Sequence, residues 1–275
     1  MQIKESFRAM GARVKITEIQ DHDRANWPRL WREGSPVVID IRDDGGGEFF
    51  KLARRRNVEL EVLDVDPRDR HLLLVAHVPD AGRQAGSTTA AGFLCGRDER
   101  HWFVAAIPES ANASDVQSAK DALKPAEVWA ALREHNVPSD HRNQRRNAAF
   151  IRQGEWFFIP RPRLKVAKAV ILRNEPIRRG AGKPHSCQFL FRIGGEQVMV
   201  CEAYPDGLGR QAYWQLPAME RDRHRWREMV RDAHVYVKGN IRHPDHKTVW
   251  LSGWHEVIAN TEAQARAMQH VAFLD

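Results

Sequence analysis

Cys187-Gln-Phe-Leu-Phe-Arg-Ile-Gly-Gly-Glu-Gln-Val-Met-Val-Cys201 places two runs of strand-forming residues on either side of a glycine pair. Successive strand side chains point to opposite faces, and Gly194-Gly195 suits the positive dihedrals of a two-residue hairpin loop. Pairing Ile193 with Glu196 predicts one face carrying Cys187, Phe189, Phe191, Val198 and Val200. Gln188, Leu190, Arg192, Met199 and Cys201 then occupy the other. In that register Cys187 and Cys201 point apart, which disfavours a disulfide or a shared metal.

Further antiparallel units extend from this hairpin. Residues 58–65 alternate at period two, 67–69 read as a turn, and 71–77 as a more buried strand. Residues 37–41, 101–107, 156–159 and 167–172 are also strand candidates. Residues 81–91 are small and polar, as a loop is. A short helix is expected from Phe49 to about residue 55. A second helical stretch covers 114–135, with Ser114 and Gln117 as a capping box and Pro125 opening its second helix. Another helix is expected from Pro217 to about residue 232, and a last one is capped by Thr261 and Gln264. The fold class expected is α+β: mixed, largely antiparallel sheets with several short packed helices. The expected division is a mixed N-terminal domain at 1–110, a helical connector at 111–147, and a basic, β-rich C-terminal domain at 148–275 with hairpins and helices.

The chain has 275 residues, room for one large domain or two modest ones. Its nine Trp and eleven Phe argue against disorder. No run of about eighteen apolar residues is present, and the first residues lack the apolar core of a signal peptide, so a cytoplasmic location is expected. Three cysteines make no disulfide framework.

The formal charge of +7 is concentrated. Twelve Lys and Arg residues lie between Arg142 and Lys183: Arg142, Arg145, Arg146, Arg152, Arg161, Arg163, Lys165, Lys168, Arg173, Arg178, Arg179 and Lys183. Only Glu155 and Glu175 oppose them, so the rest of the chain nets about minus three. Among these charges, Trp156 and Phe158 share a strand face opposite Phe157. Cations for phosphates beside aromatics for bases fit a groove for single-stranded nucleic acid. RNA or DNA is therefore the preferred anionic partner, and a nucleic-acid-associated binding protein, which need not be an enzyme, the first reading. Gly180 and Gly182 beside Lys183 suggest an anion-binding turn, although Pro184 stands where a P-loop needs Ser or Thr.

The alternative is a metal-dependent phosphodiester hydrolase with a divalent metal cofactor; a protein-interaction module in a larger assembly is a third reading. His243-Pro-Asp-His246 reads as a turn whose histidines flank Pro244. His243, Asp245, His246 and His255 are the candidate ligands, and His243, His246, His255 and His185 the candidate acid–base groups. Asp43-Asp44 beside Gly45-Gly-Gly47 is a second candidate metal turn. Extending the His243–His246 pairing predicts Thr248 opposite Ile241 and His255 opposite His234, with Ser252-Gly253 marking a break in the ladder.

Overall fold

The computed structural model describes residues 3–19, 37–79, 88–179 and 183–264. They form an α+β fold with several antiparallel β-sheets and a few short helices.

Strands β1 (Val14–Ile19), β2 (Val37–Asp43) and β3 (Glu48–Arg55) form the first sheet in the order β1-β3-β2, with β1 parallel to β3. The helix expected from Phe49 is therefore strand β3. Phe50 and Leu52 point into the core and Lys51 points outward, the period-two pattern of a strand. Strands β4 (Glu59–Asp66), β5 (His71–Pro79), β6 (Thr88–Asp98) and β7 (His101–Ile107) make an antiparallel meander. The expected hairpin at 58–77 is its first half, running from Glu59 opposite His77 to Asp66 opposite His71. The first two sheets share one core, with Phe7, Phe50, Leu72, Phe93 and Trp102 at its centre. The last residues of the expected loop at 81–91 belong to β6; residues 80–87 lie outside the described residues.

Helix Val116–Ala122 packs on the other face of the meander. Its capping box is one residue later than expected. Asp115 accepts from the Ser118 amide at 2.7 Å, and the Ser118 hydroxyl accepts from the Asp115 amide at 3.0 Å. Helix Ala126–Glu134 begins directly after Pro125, as expected.

The third sheet is assembled from β8 (Ile151–Gln153), β9 (Trp156–Pro160), β10 (Leu172–Ile177), β11 (His185–Ile193), β15 (His234–Arg242) and β16 (Val249–Ala259). Its spatial order is β10-β11-β15-β16-β9-β8. The strand expected at 167–172 is instead a 3₁₀ turn, Lys168–Val170, leading into β10. Three further strands, β12 (Glu196–Cys201), β13 (Tyr204–Gly209) and β14 (Arg227–Arg231), form a separate sheet in the order β13-β12-β14. The long helix expected from Pro217 ends at Arg223, and the chain continues into β14.

The hairpin at 187–201 does not form. A strand has two edges, and both edges of β11 are taken, by β10 and β15, as both edges of β12 are taken, by β13 and β14. The glycine pair carries the chain from one sheet to the other. Gly195, at φ +86°, lies so close to the β14 backbone that a Cβ would sit 2.6 Å from the Arg231 carbonyl oxygen. The expected faces of β11 also break. Cys187 and Leu190 both enter one core, because the ladder to β15 shifts register between Cys187 and Phe189. Gly239 (φ +84°) and Asn240 form the extra residue, with the Asn240 amide donating to the Gln188 side chain at 3.0 Å.

The β15–β16 hairpin forms, in a different register from the one expected. Ile241 faces Val249, and His255 faces Val237 rather than His234. The shift falls at residues 252–254, where Ser252-Gly253 predicts a break.

Candidate metal centre

Residues far apart in the chain meet at one end of the six-stranded sheet. Ser186 of β11 pairs with Arg242, the last residue of β15. Continuing that register by one residue sets His185 opposite His243. The turn then folds back on itself: the Asp245 amide donates to Nδ1 of His243 at 3.1 Å. This brings His246 beside both. Ring centroids lie 4.2 Å apart for His185 and His243, 4.6 Å for His243 and His246, and 5.8 Å for His185 and His246. One ligand nitrogen from each lies within 4.8 Å of the others. A tetrahedral ion about 2.0–2.1 Å from each nitrogen needs those atoms roughly 3.4 Å apart, so the stacked rings must turn toward one another to close the set.

Gly154, in the turn between β8 and β9, forms the floor. A Cβ there would lie 3.1 Å from His246 Nε2, a tight contact, and 3.8 Å from His185 Nε2, an ordinary one, so both Nε2 atoms lie over Gly154. The same turn is tied to the histidine loop by Gln153, whose side-chain amide donates to the Lys247 carbonyl at 2.6 Å.

His185 is 1% exposed, and neither of its ring nitrogens has a hydrogen-bond partner. A neutral imidazole carries one N–H and one lone pair, so burying both unpaired costs about 1–3 kcal/mol. A metal would use the lone pair. Burial, with His243 and His246 adding to it, pushes the His185 pKa down to about 3. Burial and then His243 push His246 down to about 4. Both rings are neutral near pH 7, the state that ligates metal.

The fourth wall comes from the β6–β7 turn. Asp98 Oδ2 lies 4.0 Å from His246 Nδ1. The Arg145 guanidinium contacts Asp98 and also Glu99, the latter at 2.6 Å. Glu99 accepts from the Lys247 amide at 2.6 Å.

Of the other expected ligands, Asp245 stays in the histidine turn and the rest lie elsewhere. His255 is buried in β16 and its Nδ1 is 2.9 Å from the Gly253 carbonyl. Asp245 is paired with Lys183 at 3.0 Å. Asp43 closes its own turn by accepting from the Gly45 amide at 2.8 Å. Asp44 is held by Arg13 and Lys15, both at 2.8 Å. Cys187 is fully buried, and burial pushes its thiol up to about 12, which leaves no thiolate nucleophile.

Several cations of the basic segment are engaged within the fold. Arg142 pairs with Asp121 at 2.5 Å, and Arg161 with Glu256 at 2.6 Å. Arg179 reaches Asn260 and lies 3.9 Å from Glu262, and the Nε of Arg152 is buried. Arg146, Arg163, Lys165, Lys168, Arg173 and Arg178 are exposed. Phe157 does face one core and Trp156 with Phe158 the other, as the alternation predicts. Both faces of β9 are covered, however, so Phe158 is 0% exposed and its ring offers no face to a base. Trp156 packs edge-on against His185, 6.4 Å between centroids. Gly180 and Gly182 of the expected anion-binding turn lie outside the described residues.

Sequence reasoning singled out all three histidines without grouping them, and it missed Gly154, Gln153 and Asp98. The one usable signal is His185 at the start of β11 and His243 just past β15, which becomes informative only when those strands are known to pair. No family model, curated protein or solved structure matches the chain.

Proposed function

We propose that His185, His243 and His246 bind a divalent transition metal, zinc first among candidates, and that the protein is a metal-dependent phosphodiester hydrolase. The observation that carries this reading is the clustering of three imidazoles, one buried and two half-buried, with a ring nitrogen of each within 4.8 Å of the others. Imidazole suits zinc, and a zinc held by His185, His243 and His246 would supply an activated water for attack at phosphorus. The phosphodiester class is favoured by the cations beside the centre, Lys183 and Arg145, and by the formal charge of +7. Nucleic acid is the natural polyanionic form of that class, steered by the exposed cations of the basic segment.

Purified protein should bind about one zinc or cobalt ion per chain and cleave bis(p-nitrophenyl) phosphate or a short RNA or DNA, with both properties lost in a His185→Ala/His246→Ala double variant. Absence of stoichiometric binding overturns the metal reading. Stoichiometric binding without cleavage of any of these substrates overturns the hydrolase.

A further inference from the structure

We infer that Asp98 is a positioning residue for this metal centre: its carboxylate accepts a hydrogen bond from the Nδ1–H of His246 and so presents the Nε2 lone pair to the ion. The inference rests on the metal reading and adds a residue from the other end of the fold. His246 Nε2 already faces Gly154 and the His185 ring. Its Nδ1 is on the far side of the imidazole, buried, without a hydrogen-bond partner, and 4.0 Å from Asp98 Oδ2. Both side chains are shielded, 13% exposed for His246 and 8% for Asp98. A metal-bound histidine ordinarily donates its other N–H to a carboxylate or carbonyl, which fixes tautomer and ring orientation and strengthens the ligand. The 4.0 Å gap exceeds hydrogen-bond length, so the ring and carboxylate must close by about 1 Å when the ion binds.

Asp98 ends β6, and that meander is a different sheet from the one carrying the histidines. Arg145 binds Asp98 and Glu99 together, and Glu99 holds the Lys247 amide next to His246. The centre is therefore complete only when the meander is docked on the six-stranded sheet. Arg145 has an opposing electrostatic effect, since its guanidinium shares the Asp98 carboxylate and stands near a cation.

The experiment is zinc titration of wild type, Asp98→Asn and Arg145→Gln by competition with a chromophoric chelator. Long-range ¹H–¹⁵N spectra of the histidine rings accompany it. Asp98→Asn keeps the side-chain shape and should weaken zinc about tenfold to a hundredfold, and should shift or broaden the His246 Nδ1–H signal of the zinc form. Arg145→Gln releases the carboxylate to His246 and should bind zinc at least as tightly as wild type. Equal affinity and an unchanged Nδ1–H signal in Asp98→Asn overturn the inference while leaving the metal centre standing. Equal weakening by both variants also overturns it, because it assigns the pair to holding the β6–β7 turn. Failure of wild type to bind zinc removes the metal reading itself and the positioning role with it.

Discussion

Gly154 and His246 are fitted to each other: a Cβ on Gly154 would stand 3.1 Å from the Nε2 of His246, and Gly154 holds φ +57°. Gly154→Ala should therefore act twice. The left-handed backbone costs about 1 kcal/mol for a non-glycine residue, read as a lower unfolding midpoint. The methyl group presses on the nitrogen that would bind metal, so zinc affinity should fall by about an order of magnitude or more. Titration and denaturation of one variant check both.

His185 separates folding from metal binding. Its two ring nitrogens are buried without partners, so an apolar residue of similar size should suit the metal-free fold better. His185→Leu should raise metal-free stability by about 1 kcal/mol and abolish the rise in melting temperature that zinc produces in wild type. Melting curves with zinc and with chelator measure both effects.

Glu262 predicts a pH dependence away from the centre. Burial raises its carboxyl from 4.5 to about 7, against the lowering influence of Arg179. The folded state therefore holds the proton more tightly than the unfolded state. Stability from this group is fully present below pH 4.5 and is lost as pH rises to about 7, by roughly 3 kcal/mol in all. Glu262→Gln should remove that slope. Subtracting variant from wild-type stability between pH 4.5 and 7.5 isolates it from the histidines, whose depressed values act in the opposite direction.

Phe158 decides between stacking and packing. The ring is 0% exposed within a core shared with Leu190, Val237, Ile241 and Leu251. Phe158→Ala should cost about 3–5 kcal/mol of stability and leave the salt dependence of any nucleic-acid binding unchanged. Urea denaturation, with DNA or RNA titration at several salt concentrations, gives the answer.

Local pattern made much of the fold legible. Alternation placed β4, short apolar runs placed β2, β5, β7 and β9, and Pro125 marked a helix start. It failed where distant strands competed for an edge. Residues 187–201 contain every local requirement of a hairpin, yet β11 and β12 each have other partners on both sides. Alternation also sorted the two faces of β9 correctly but gave no information on what covers them, so Phe158 reads only as a stacking candidate from sequence alone.

The sequence by itself determined the antiparallel, mixed character of the protein, the turn at His243-Pro-Asp-His246, and the histidines available for chemistry. Spacing rules reach only the turn and strand that contain them, which is why His255 is grouped with His243 as a candidate ligand and His185 is not. Tertiary structure decided the reverse. The β11–β15 ladder brings His185 to His243, the bulge at residues 252–254 changes the partner of His255, and the docked β6–β7 turn supplies Asp98. The physical reason is that ladder partners and bulges are settled by the burial of whole sheets, and a one-residue shift in register moves a side chain to the opposite face.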